Sequence, residues 1–206
     1  MDFTTTEAAS DLGGLVDTIV DSVCTPEHQR ELDSLEQRFD RDPWQKLIEA
    51  DILTSASASV LGGDGFGALE QVAILVALGR QLAAVPYLDS VMLGAGVLAR
   101  FGSEDLQQAW GVPAVKGEKI LTVALDGEMG EEPIQATRAG DGYRLTGTRT
   151  QVGFGPVADA SGSRRNRFQH SHFPGERRRS GGQGDHADDH REEQRRTPGA
   201  GRRRGG

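Results

Sequence analysis

Beyond Ala160 the chain contains no Leu, Ile, Val, Met, Trp or Tyr. A segment without those side chains buries too little apolar area to offset the entropy of ordering it. Any core must therefore be built from the first 160 residues. The charge balance changes at the same place. Residues 1–160 hold 25 acidic and 11 basic side chains, whereas 161–206 hold 6 and 12, and all of those twelve are Arg. The chain reads as an acidic folding part followed by a disordered, Arg/Gly-rich tail over 161–206.

The folding part opens with helical periodicity. Leu12, Leu15, Val16, Ile19, Val20 and Val23 recur at the spacing of one helical face within residues 6–23. Thr25-Pro26-Glu27 gives an N-cap, a proline at the first helical position and an acid at the positive end of the helix dipole. Leu32, Leu35 and Phe39 are assigned to that second helix. Asp42-Pro43 repeats the start signal for a third, carrying Trp44, Leu47 and Ile48 to about Ala50-Asp51.

Leu61-Gly62-Gly63-Asp64-Gly65-Phe66-Gly67 is the densest glycine run of the folding part. A phosphate cradle requires a preceding strand and a following Lys-Ser/Thr, and the run has neither. The expected use of the glycines is a backbone turn with positive φ. Leu69 to Ala84 is the most apolar helical stretch. Its apolar residues cover more than one stripe, so burial on several sides is expected. Pro86 should end it, with another apolar helix from Val91 to Phe101. Gly102-Ser103-Glu104-Asp105 is a stop followed by a cap, opening a short helix from Leu106 to Trp110.

The pattern then changes. Ile120 to Leu125 is a continuous apolar run that predicts a buried strand. Asp141-Gly142 is a tight-turn signal, and Tyr143 and Leu145, then Thr148, Thr150 and Val152, supply strand-type residues on either side of Gly147.

Gly142-Tyr143-Arg144-Leu145-Thr146-Gly147-Thr148-Arg149, followed by Ala158-Asp159, resembles a run of the acyl-CoA dehydrogenases, Gly-Tyr-x-Leu-Asn-Gly-x-Lys-x-Trp-Ile-Thr and then Ala-Asp. Trp44, Leu47 and Asp51 fall where that family has Trp-x-x-Leu-x-x-x-Gly. Gly102, Ser103, Gln107, Trp110 and Pro113 follow a further pattern of the family. The resemblance covers residues 1 to about 160. It implies a mainly α chain, with an N-terminal all-α domain over 1–118, the first strands of a middle β domain over 119–160, and then the tail.

The resemblance also implies FAD as cofactor, an acyl-CoA substrate, electron-transferring flavoprotein as a redox partner, and a homo- or hetero-oligomer. Met92, Gly94, Ala95 and Val97 fall on the helix that walls the acyl pocket. Leu125, Asp126 and Gly127 fall where the family's Thr-Glu-Pro and Gly-Ser-Asp elements meet the flavin. Gln151, Val152 and Gly153 stand in place of its Trp-Ile-Thr segment. Ala124-Leu125 is retained, but the ring of Trp and the hydroxyl of Thr are not. Actinobacterial members that pair a flavin-binding subunit with a degenerate one show such losses, so an assembly of unlike subunits is a real alternative. The family's catalytic glutamate sits in a C-terminal helical bundle, so no catalytic residue is assigned here.

Other classes carry less. The carboxylates between Asp126 and Glu132 lack a histidine and fixed spacing, so a solvated acidic loop is expected rather than a metal site. The single Cys24 permits no internal disulfide and suits a reducing compartment. No secretory signal and no run near the ~20 apolar residues of a membrane span is visible. A cytoplasmic protein is expected, without membrane or nucleic-acid partners. The Arg clusters and His170 with His172 lack an aromatic platform or ligand spacing, which leaves a small basic-tailed binding module as a remote reading.

Arg without Lys, together with Gly, Pro, His and Asp, is also what GC-rich DNA yields out of frame. Back-translating Phe168 to Ser180 with chosen third bases and reading one base later gives Ser-Ser-Thr-Ala-Ile-Phe-Leu-Val-Ser-Ala-Asp-Asp. The same operation from Gly184 to Gly206 gives Val-Thr-Thr-Leu-Thr-Thr-Thr-Gly-Lys-Ser-Ser-Val-Gly-His-Leu-Glu-Leu-Asp-Gly-Val-Glu-Gly. Both look like the continuation of the β domain, which makes the tail a frame-shifted product.

Overall fold

The computed structural model describes residues 4–125, 132–140, 142–150 and 152–163. The tail from residue 164 on lies outside the described residues.

Helix α1 (Glu7–Asp21) starts at Thr6, whose hydroxyl accepts the Ala9 N–H, and it buries Ala9, Val16 and Val20. Helix α2 (Pro26–Asp33) begins as the sequence indicates, with Thr25 accepting the His28 N–H and Pro26 in the first turn. It stops at Asp33, so Phe39 reaches the core from the connection beyond it, while Leu35 is exposed. Helix α3 (Arg41–Glu49) is capped by Asp40 rather than Asp42. Asp40 is 3% exposed, accepts a bond from His28 Nε2 at 2.7 Å, and ties α2 to the start of α3. The short α4 (Ile52–Ser55) and a 3-10 turn (Ser59–Leu61) lead into the glycine loop, where Gly62 takes the expected positive φ of +85°.

Helix α5 (Ala68–Arg80) ends four residues earlier than the apolar pattern suggests. Gln81 caps it, and Leu82, at a left-handed φ of +53°, turns the chain well before Pro86. Its buried face is Glu70, Ile74, Ala77 and Leu78. The expectation of burial on several sides fails, because Leu69, Val72 and Val76 are 55%, 48% and 47% exposed. Those three residues share one stripe, and none of the described elements covers it.

The next helix begins earlier than the pattern indicates. Tyr87–Ala95 winds as a π-helix and passes directly into α6 (Gly96–Phe101). A second π-helical turn (Gln107–Gly111) joins α7 (Glu104–Leu106) to α8 (Val112–Val115). Side chains of α1, α3, α4, α5 and the first π-helix form the main core, which includes Trp44, Leu47, Ile74 and Tyr87. A second cluster joins Leu61, Ala95, Leu98, Ala114 and Val115 to Leu121 and Ala160.

Strand β1 (Leu121–Ala124) forms within the expected run, but only its first half is buried: Leu121 and Thr122 are 0% exposed, Val123 and Ala124 are partly buried, and Leu125 is exposed. The hairpin differs from expectation. Strand β2 (Gln135–Ala139) pairs antiparallel with β3 (Gly142–Thr146), Ala139 opposite Gly142. Gly142 is therefore the first residue of β3 rather than part of the turn, and Gly140 supplies the left-handed φ of +59°. Thr148, Thr150 and Val152 form no strand, since β3 takes its partner from the preceding segment. Strand β4 (Ala160–Ser163) pairs in parallel with β1, Leu121 beside Ala160, and runs three residues past the compositional break at 160.

Candidate functional site

Three consecutive residues, Ile120 to Thr122, are anchored by hydrogen bonds, one of them to the helical domain and two to the segment around 153–159. The Ile120 N–H donates to Asp159 Oδ2 at 2.8 Å, while Asp159 N–H donates to the Ile120 carbonyl at 2.6 Å. The Leu121 N–H donates to Ser90 Oγ at 3.0 Å, and Thr122 Oγ1 donates to the Gly153 carbonyl at 2.6 Å. The segment carrying Gly153 is thereby fixed beside β1 and the first π-helix. Phe154 adds an edge-to-face contact with Phe39, ring centroids 6.2 Å apart.

The four acyl-wall candidates separate. Met92 and Ala95 line an open groove of about 480 Å³, together with Leu61, Phe66, Gln71 and Arg100. Gly94 faces the other way, where a Cβ would lie 2.7 Å from the Leu121 Cβ, so its role is close packing of the π-helix on β1. Val97 is 37% exposed and does not line the groove. The π-helix contributes apolar side chains to the groove, and Ser57, Ser59, Gln71 and Arg100 add polar ones.

Of the flavin-facing candidates, Asp126, Gly127 and Gln151 lie outside the described residues. Leu125 is exposed at the end of β1, and Val152 is half-buried. Gly153 is exposed, and only the side chain of Asp89 stands close to it. A Cβ there would lie 2.8 and 2.9 Å from the two carboxylate oxygens of Asp89. Burial raises the Asp89 carboxyl above its ordinary value, and a hydrogen bond from its own backbone opposes the shift. Among the described residues no cation pairs with it.

FAD, the cofactor the resemblance implies, requires hydrogen-bond donors along its ring edge. The described residues of these segments do not fit that need. Gly153 has no side chain, its carbonyl is occupied by Thr122, and the group facing it is a carboxylate, which when ionised only accepts. Asp89, Ser90 and Thr122 carry no local signal as site residues, because their contacts lie 31 or more residues away along the chain. Among the described residues no group of three His, Cys, Asp or Glu is placed to hold a metal ion.

Residues 6–118 match the family described as "Acyl-CoA dehydrogenase, N-terminal domain". The chain belongs to the acyl-CoA dehydrogenase family. Acyl-CoA dehydrogenase FadE27 of Mycobacterium tuberculosis (strain ATCC 25618 / H37Rv) is 79% identical over 160 residues, which is 78% of this chain and 43% of that protein. A chain of the ChsE4-ChsE5 complex from Mycobacterium tuberculosis superposes with a TM-score of 0.76 at 78% identity, covering 78% of this chain and 44% of its own. The Tcur3481-Tcur3483 steroid ACAD superposes with a TM-score of 0.72 at 29% identity, covering 78% and 45%. This acyl-CoA dehydrogenase sequence thus spans less than half the length of the relatives it matches.

Proposed function

We propose that this chain is the N-terminal part of one subunit of a heteromeric acyl-CoA dehydrogenase, and that its residues after about 160 are translated from a shifted frame. The observation that carries this reading is the similarity to FadE27. It is 79% identical over 160 residues, the length that precedes the loss of apolar side chains. In this reading residues 1–118 are the helical domain, 119–160 begin the β domain, and 161–206 are not native family sequence.

The reaction is α,β-dehydrogenation of an acyl-CoA thioester. A flavin bound elsewhere in the assembly would supply the hydride acceptor and a carboxylate the base for the α-proton, with electron-transferring flavoprotein as the redox partner. The chain's own contribution is a wall for the acyl group, with Met92 and Ala95 facing the groove. The similarity to the Tcur3481-Tcur3483 steroid ACAD favours a steroid-derived acyl group over a plain fatty acyl group. A second reading, a non-catalytic partner subunit that stabilises a flavin-bearing homologue, is favoured by the likeness to the two-protein ChsE4-ChsE5 complex. Among the described residues no helix is long and apolar enough to cross a membrane, and we place the enzyme in the cytoplasm.

The coding DNA tests the proposal. Shifted by one base near codon 161, it should open a long frame encoding further strands and a second helical bundle. Stop codons soon after that point in the shifted frame would contradict it.

A further inference from the structure

We propose that the exposed stripe of α5 is a self-complementary seam on which a second copy of this chain docks, the two α5 helices lying antiparallel. The inference concerns the helical domain alone and goes beyond the dehydrogenase-subunit reading, on which it does not depend.

Leu69, Val72 and Val76 are 55%, 48% and 47% exposed, while the opposite face of α5 buries Ile74, Ala77 and Leu78. Gly79 is exposed as well and extends the line. The four positions follow one another at spacings of three, four and three residues. That is the a, d, a, d order of a coiled-coil seam, which keeps side chains in line along one neighbouring helix. A helix face left to water normally carries charge there. The charged residues of α5 are Glu70, which is buried, and Arg80, which is paired with Asp17 of α1 at 2.8 Å.

The stripe fits itself. About a two-fold axis level with Ile74, residues equally far to either side face each other, so Leu69 meets Gly79 of the second copy and Val72 meets its Val76. The largest exposed side chain is thus set over the position that has none, where a Cβ would meet no atom within 4 Å. A parallel pair would instead stack Leu69 on Leu69 and Gly79 on Gly79, a bulge beside a void. This match of the sequence with itself selects a second copy as the occupant.

Electrostatics selects the same place. The chain carries a net charge of −8, so two copies repel, and a stripe without free charge is where they meet at least cost. Added salt screens the repulsion and strengthens the pairing. The seam is only about 15 Å long, so it buries far less than the ~800 Å² per partner of a standard interface and holds a weak, reversible dimer.

Sedimentation equilibrium of the full chain across a wide concentration range tests the proposal. The weight-average mass should climb from 22.1 kDa toward twice that value, and climb further at higher salt. Val72→Lys sets a charge against Val76 in both layers and should weaken association about tenfold or more. Adding Val76→Glu to that chain pairs Lys with Glu in each layer and should recover at least about threefold of the loss. Both sites are exposed on a helix, so the melting temperature should stay within about 2 °C. Should Val72→Lys disturb the fold, Gly79→Leu reads the same seam, because it crowds Leu69 of the second copy and meets nothing in its own chain at Cβ. Three results would overturn the proposal. The first is a mass of 22.1 kDa throughout. The second is association that the seam variants leave unchanged, as pairing through strand edges would. The third is association that salt weakens, as a contact between the Arg-rich tail and the acidic domain would. None of these readouts involves flavin or acyl-CoA, so failure of the dehydrogenase reading is told apart from failure of this one.

Discussion

The backbone N–H of Leu121 donates to the hydroxyl of Ser90 at 3.0 Å, and both residues are fully buried. This one bond fastens the first strand of the β segment to the first π-helix. Ser90→Ala removes the acceptor and leaves a buried N–H without its partner, at a cost of about 1–3 kcal/mol. Urea unfolding of the variant should show a lower midpoint at an unchanged slope. An unchanged midpoint would mean that the strand docks by other means.

Tyr87 presents the opposite case. Its ring is fully buried in the main core, and its hydroxyl has no hydrogen-bond partner among the described residues. Burial drives its pKa well above the ordinary tyrosine value. Tyr87→Phe keeps the ring and discards the unpaired hydroxyl, so the variant should be at least as stable as the wild type, by about 1 kcal/mol if the hydroxyl is dry. A clear loss of stability in thermal unfolding would reveal a partner for that oxygen.

Glu70 should give the helical domain a pH-dependent fastening. Its carboxylate accepts the Thr6 hydroxyl at 2.6 Å and the Gly67 N–H at 2.9 Å, closing the start of α5 and joining it to the cap of α1. The Thr6 bond is the main reason its pKa lies below the ordinary glutamate value of 4.5. A carboxyl with a lowered folded-state pKa contributes stability above its unfolded value, and loses that contribution as pH falls through the folded one. Melting temperature measured from pH 6 downward should therefore decline more steeply below about 4.5 in the wild type than in Glu70→Gln. Parallel curves would contradict this assignment.

The glycine loop offers a graded test. Gly62 has φ +85° and open space around a would-be Cβ, so Gly62→Ala carries only the conformational penalty of about 1 kcal/mol. At Gly63 a Cβ would meet the Thr54 carbonyl oxygen at 2.6 Å, with the Ser57 carbonyl closer still. Backbone atoms cannot step aside as a flexible side chain does, and Gly63→Ala should cost about 3 kcal/mol. Chemical denaturation of the two variants should rank them in that order.

These cases show which parts of the molecule could be read from residues in a row. Thr25-Pro26-Glu27 marks a helix start because capping is local, and the mostly apolar run Ile120 to Leu125 marks a strand, though not which of its residues are buried. The periodicity of α5 revealed a wide apolar surface but not what stands opposite it, so the exposure of Leu69, Val72 and Val76 was not legible. The hairpin turn was misplaced because Gly140 can enter the left-handed region as readily as Gly142. Asp89 went unnoticed since its partner position, Gly153, is 64 residues away and is defined by the absence of a side chain.

The measurement that tests the central claim most directly is the absorbance spectrum of the purified chain, before and after addition of an acyl-CoA. Hydride transfer requires flavin, substrate and base held together, and a displacement near 1 Å costs on the order of 10²-fold. The account predicts no flavin band near 450 nm and no dehydrogenation by this chain alone. A stoichiometric band near 450 nm that is bleached by an acyl-CoA would contradict it.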